Sequence, residues 1–145
     1  NSLYFHLVWS TKNREPYISE IIERPLYQYI TGILRNKGAD ALQIGGMPDH
    51  IHLLLKTTPM TVLSDLVKDV KVNSTRWVRS MYPGLPTFSW QEGFGAFSVS
   101  KSNTDAVRDY ILNQKNHHIH VPFDKEWVQL LMKHEISYDP KYVLG

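Results

Sequence analysis

Two short stretches of this 145-residue chain carry side chains suited to metal binding and nucleophilic attack. The first is Asp49-His50-Ile51-His52-Leu53-Leu54-Leu55. On a β-strand, the period of two puts His50 and His52 on one face and sends Ile51, Leu53 and Leu55 into a core. Neutral imidazoles side by side suit Zn, Mn, Fe, Ni or Cu and can serve a labile Mg site. Two polar residues on a wet sheet face would look the same in sequence, so the pair admits both readings. The second stretch is Tyr110-Ile111-Leu112-Asn113-Gln114. A helical spacing of four stacks the Tyr110 phenol beside the Gln114 amide, a nucleophile next to an oxygen ligand. A phenol with a pKa of about 10 is mostly un-ionised at neutral pH, so it needs a metal-polarised phosphate or a nearby base. A cation on the two imidazoles would meet that need. Taken without the histidines, the Tyr and Gln read as core edge and surface.

Positioning those groups falls to elements that the rest of the chain predicts. In residues 3–11, Tyr4, His6 and Val8 alternate with Phe5, Leu7 and Trp9, a strand covered on both faces. Residues 19–37 repeat Leu26, Ile30, Ile33 and Leu34 at helical spacing, and Gly38 stands where a left-handed C-terminal cap belongs. Residues 41–44 predict a short strand, Gly45 to Asp49 a turn, and residues 50–57 a longer strand, together a hairpin. Over residues 61–81, Leu63, Leu66, Val67, Val70, Trp77, Val78 and Met81 recur on one helical face before Pro83-Gly84 stops the helix. Residues 96–100 predict a last strand. Ser102, Asn103 and Thr104 are cap candidates for a helix over 104–116 that carries Tyr110. Asp124 can cap a further helix over 125–134, with Trp127, Leu130 and Leu131 as its apolar stripe. The order predicts an α+β, ferredoxin-like split βαβ fold with an antiparallel sheet of about four strands and C-terminal helices. One domain over residues 1–145 is expected.

Composition narrows the chemistry further. With no cysteine, disulfides, thiolate metal sites and cysteine nucleophiles are excluded, so any metal must use N or O ligands. The net charge of +2 permits a polyanionic partner without demanding one. No membrane span or signal-peptide pattern is visible, and a cytoplasmic location is expected. A chain that opens on Asn1 rather than Met is expected to lack a few N-terminal residues.

Pro48-Asp49-His50-Ile51-His52-Leu53-Leu54, then Gly93-Phe94-Gly95-Ala96-Phe97-Ser98-Val99-Ser100, then Tyr110-Ile111-Leu112-Asn113-Gln114 resemble the single-tyrosine HUH transposases of small insertion sequences. The REP-associated tyrosine transposases are near relatives, and the resemblance spans nearly the whole chain. It implies that His50, His52 and Gln114 bind Mg or Mn and that Tyr110 attacks a phosphate of single-stranded DNA. The product would be a 5′-phosphotyrosine link and a 3′-hydroxyl that later reverses the attack on a new strand, without ATP. It also implies recognition of hairpin ends of an insertion sequence or REP-like element, and a homodimer whose site is completed in cis or in trans, with some relatives working as monomers. Asp49 can orient His50, although a turn residue before a strand is the plainer account.

Other features carry weaker signals. Lys68, Lys71, Thr75 and Arg79 recur at spacings of three and four with Arg76 alongside, so Lys68, Lys71, Arg76 and Arg79 are expected to contact DNA phosphates. A solvated face diluted by Asp65 and Asp69 would look alike. Trp90, Phe94 and Phe97 read as a half-buried aromatic cluster rather than a base-stacking site. His117, His118 and His120 read as a polar exit loop, and His6 as a core histidine. Three rival functions remain open to sequence: a replication-initiator or relaxase-type nuclease, a metal hydrolase that uses His50 and His52 without Tyr110, and a non-catalytic nucleic-acid binding module.

Overall fold

A computed structural model of the chain describes residues 1–116, 125, 126 and 128–130. Among the described residues, the main elements follow one another as β1 (Leu3–Ser10), α1 (Glu20–Asn36), β2 (Asp40–Met47), β3 (His50–Thr57), α2 (Leu63–Met81), β4 (Gly95–Val99) and α3 (Thr104–Leu112). The sheet is antiparallel throughout, in the order β2-β3-β1-β4. This is the expected α+β split βαβ arrangement. Both long strands that carry the site-forming residues, β1 and β3, lie in the middle of the sheet.

Helix α1 forms because Ile22, Leu26, Ile30 and Leu34 return every four residues and are all buried. It ends where Gly38 takes a φ of +79°, the left-handed conformation that glycine tolerates best. Helix α2 buries Leu66, Val67, Val70, Ser74 and Val78. Its inward stripe stops at Val78, so Met81, expected to face inward, is instead 58% exposed. Both helices cover one face of the sheet, where they meet Leu7, Trp9, Ile51, Leu53 and Leu55 in the main core. Trp90 belongs to that core, donating its Nε1–H to the Ser74 hydroxyl at 2.9 Å, and Phe97 is buried beside Val8.

The hairpin departs from the sequence expectation. Strand β2 does not stop at Ile44 but runs through Gly45 and Gly46 to Met47, and only Pro48-Asp49 turn. The glycines serve strand packing rather than the turn: a Cβ on Gly45 would stand 2.5 Å from the Ile111 carbonyl oxygen, so α3 lies directly on the strand there. The expected helix over 104–116 is interrupted at Asn113, with residues 114–116 helical again. Beyond them only residues 125, 126 and 128–130 are described, and they are helical. Asp124, Trp127 and Leu131 and the triplet His117, His118 and His120 lie outside the described residues. Among the described residues, no helix is long and apolar enough to cross a membrane.

Candidate active site

Strand alternation sends Ile51, Leu53 and Leu55 to the core and leaves His50 and His52 on the opposite face, as their spacing requires. That face is not wet. Helix α3 packs across β2 and β3, and both histidines are 0% exposed. A buried imidazole must have both ring nitrogens matched, and here each nitrogen has a distinct task.

Each Nδ1 is turned toward a buttress. His50 Nδ1 lies 2.7 Å from Asp49 Oδ1, and His52 Nδ1 lies 2.8 Å from His6 Nε2, reached across the β1–β3 ladder. Asp49 is in turn 3.7 Å from Arg14 Nε. Burial alone would push the Asp49 carboxyl up, but the His50 hydrogen bond and the neighbouring positive charges hold it below the ordinary range. Burial likewise disfavours a charged His50, yet hydrogen bonds to Asp49 and Glu126 outweigh it and raise the imidazole above its usual value. An imidazole buttressed by a carboxylate, as His50 is by Asp49, is oriented so that its Nε2 can serve a metal.

Both Nε2 atoms face the same small space. His50 Nε2 is 3.3 Å from Gln114 Oε1 and 3.5 Å from Glu126 Oε1, and His52 Nε2 is 3.0 Å from Glu126 Oε1. His50, His52 and Glu126 each offer one donor atom within 4.8 Å of the others, all three buried, a grouping that can hold a divalent ion. Tyr110 points into the same cluster from α3. Its ring centroid is 5.6 Å from that of His52, and its hydroxyl donates to Glu126 Oε2, which also accepts from Gln114 Nε2 at 3.0 Å. Burial first, then the Glu126 charge and hydrogen bond, push the Tyr110 phenol above its ordinary value, against a smaller lowering by Gln114. A cavity of about 480 Å³ opens beside Tyr110, walled in part by His6, Ser98, Asn103 and Gln129.

Tyr110, His50, His52 and Gln114 are thus brought together within one chain. The four basic residues of α2 are not part of this cluster, since α2 covers the other face of the sheet. Lys71 Nζ donates to the Gln91 and Gly93 carbonyls at 2.9 and 2.6 Å, and Arg79 Nε donates to the Phe88 carbonyl at 2.9 Å. Lys68, Arg76 and Arg79 are exposed. Sequence reasoning missed Glu126 and assigned His6 to the core. The alternation of Tyr4, His6 and Val8 in β1 was the available signal for His6; nothing local marks Glu126.

Comparison with known proteins places the chain in a family. A sequence profile described as "Transposase IS200 like" matches residues 1–114. The chain is similar to the ISDra2 transposase TnpA of Deinococcus radiodurans, with 29% identity over 117 residues, 77% of this chain and 84% of that protein. A crystal structure described as a transposase from Deinococcus radiodurans R1 superposes with a TM-score of 0.66 at 30% identity, covering 79% of this chain and 92% of that one. A REP-associated tyrosine transposase bound to a REP hairpin shares the fold, with a TM-score of 0.63 at 17% identity over 80% of this chain and 68% of that one.

Proposed function

This chain belongs to the IS200-like family of single-tyrosine HUH transposases, DNA-processing enzymes, and from that premise we propose that it cuts and rejoins single-stranded DNA through Tyr110. The observation that carries the reading is the meeting of the Tyr110 phenol on α3 with the buried His50–His52 pair of β3 in one cluster. In this reading His50, His52 and Gln114 hold Mg or Mn. A divalent ion held there would polarise the scissile phosphate and offset the charge that builds on its oxygens.

The side chains supply the rest. Asp49 and His6 lock the two rings so that each Nε2 is aimed before substrate arrives, which removes reorganisation from the reaction. Tyr110 Oη bonds to phosphorus as the bond to the 3′ oxygen breaks; the phenol gives up a proton and the 3′ oxygen gains one. The resulting 5′-phosphotyrosine keeps the phosphoester energy, so reversal by a new 3′-hydroxyl joins strands. The cavity beside Tyr110 gives an unpaired strand room to approach. Lys68, Arg76 and Arg79, exposed on α2, offer contacts to flanking phosphates, with Arg79 Nε also donating to the Phe88 carbonyl, whereas Lys71 Nζ donates to two of the chain's own carbonyls. On the family resemblance the reading extends to hairpin-forming ends of an insertion sequence or REP-like element, acted on by a cytoplasmic homodimer with residues 1–145 as one domain. The hairpin bound by the REP-associated relative supports that substrate class.

The test is incubation with single-stranded hairpin oligonucleotides and Mg or Mn, followed by denaturing gels. A covalent protein–DNA band is expected with native protein, metal and single strands together, and none with Tyr110→Phe. Cleavage that persists in Tyr110→Phe without an adduct would assign the histidines to a water-using hydrolase and overturn the reading.

A further inference from the structure

The family match ends at residue 114, and yet a carboxylate from beyond it occupies the middle of the site. Glu126 is 1% exposed. Its two oxygens look in different directions: Oε1 toward the Nε2 atoms of His52 and His50, and Oε2 toward the Tyr110 hydroxyl and the Gln114 amide.

Three of the donor separations are on the scale of a coordination shell. Ligand atoms about 2.1 Å from one ion stand about 3.0 Å apart at right angles and about 3.4 Å apart at tetrahedral angles. The separations of 3.0 Å from His52 Nε2 to Glu126 Oε1, 3.3 Å from His50 Nε2 to Gln114 Oε1 and 3.5 Å from His50 Nε2 to Glu126 Oε1 lie on that scale. With each Nδ1 held by Asp49 or His6, both Nε2 atoms are turned toward Glu126 Oε1. A buried carboxylate also requires compensating positive charge, which an ion at this point would supply.

We propose that Glu126 is a fourth ligand of the divalent metal, beside His50, His52 and Gln114, and that its second oxygen fixes Tyr110 next to that metal. This rests on the metal-dependent reading above and adds to it. Glu126 then becomes part of the active site, a ligand supplied by this chain outside the segment that matches the family. An anionic oxygen ligand strengthens the hold on Mn and Mg relative to a neutral shell.

The same geometry has an opposite interpretation, in which Glu126 fills the place of the scissile phosphate and holds the site shut. The two differ in sign. The full chain and its E126Q, E126D and H50A/H52A variants, each checked for folding by circular dichroism, are titrated with Mn²⁺ alone and followed by electron paramagnetic resonance. E126Q is expected to weaken Mn²⁺ binding about tenfold or more, E126D to restore part of it, and H50A/H52A to remove it. Unchanged or tighter Mn²⁺ binding by E126Q, together with a higher yield of DNA adduct, would overturn the assignment in favour of the plug while leaving the transposase reading intact. Native protein that forms the Tyr110 adduct in chelator, or binds no Mn²⁺ at all, would instead defeat the metal-dependent reading on which the assignment rests.

Discussion

Strand β3 is buried on both sides, but the two sides are buried by different physics. Toward α1 and α2 it presents Ile51, Leu53 and Leu55 to a core of aliphatic and aromatic groups, where the gain is non-directional and grows with the apolar area removed from water. Toward α3 it presents His50 and His52, as fully excluded from solvent as the leucines but each satisfied by named partners: Asp49, His6, Gln114 and Glu126. Polar groups gain little net stability from such burial, because the water they lose must be replaced bond for bond. What the polar face gains is orientation. One face therefore holds the sheet together, and the other spends part of that stability on a preorganised site.

Substitutions on the two faces should separate stability from activity. The largest expected effect is on the polar face: H50A/H52A should abolish the metal-dependent DNA adduct while leaving a folded protein. Leu53→Ala should do the reverse, lowering stability by about 2–5 kcal/mol in urea unfolding while its folded fraction still forms adduct. A double variant that fails to fold would show that the histidines also hold the sheet together and would break the comparison. Next in size is Gly45→Ala. Gly45 pairs with His52 across the hairpin, and an added methyl would stand 2.9 Å from Ile111 Cγ2 as well as against its carbonyl. Lifting α3 by a fraction of an ångström displaces Tyr110 and Gln114, so adduct formation should fall about a hundredfold. Full activity in this variant would mean that α3 is not positioned by contact with β2. His6→Ala and Asp49→Ala remove only the buttresses, and each should weaken Mn²⁺ binding about 10- to 100-fold, read by the same resonance titration. Native affinity in either would reduce that partner to a packing role.

The asymmetry between the faces also explains what was legible in the sequence. Period-two alternation in β3 and period-four repetition in α1 are local patterns, so the sheet, the two core helices and the facing of His50 and His52 could all be read from spacing. For Tyr110 and Gln114, spacing shows only a shared helix face, and their roles as nucleophile and ligand are what the family resemblance implies. The polar partners are not periodic. His6 finds His52 at a sequence distance of 46, and Glu126 finds it at 74, contacts that depend on the finished fold. Within the stretch that holds Glu126, the apolar stripe dominated the reading and drew the eye to Trp127, Leu130 and Leu131. The Gly45-Gly46 pair was misread for a related reason: glycine signals a turn locally, whereas here Gly45 is demanded by a helix arriving more than sixty residues later. Lys71 and Arg79 fit a phosphate-binding stripe by spacing, yet their nearest acceptors are backbone carbonyls of the 88–93 segment.

Lys71 is the exception on the apolar side, and it yields the smallest predicted effect. Its ammonium lies 5.7 Å from the Trp9 ring centroid and bonds two carbonyls, and burial lowers its pKa to about 8 from 10.5, with Glu92 opposing only in part. A lowered amine pKa means that the folded protein releases its proton before the unfolded chain does. Below about 8 both states are protonated, and the cost of the half-buried charge, moderated by solvent, weighs on the fold. Between about 8 and 10.5 the unfolded chain binds the extra proton, so Lys71's contribution to stability should rise with pH across that window. Urea unfolding of native protein and Lys71→Met, followed through the same range, isolates the effect: the native-minus-variant difference should climb as pH rises. A flat difference would mean that the ammonium is solvated. Lys71 would then rejoin Lys68, Arg76 and Arg79 as an available phosphate contact, and its half-burial on the apolar face would carry no charge penalty.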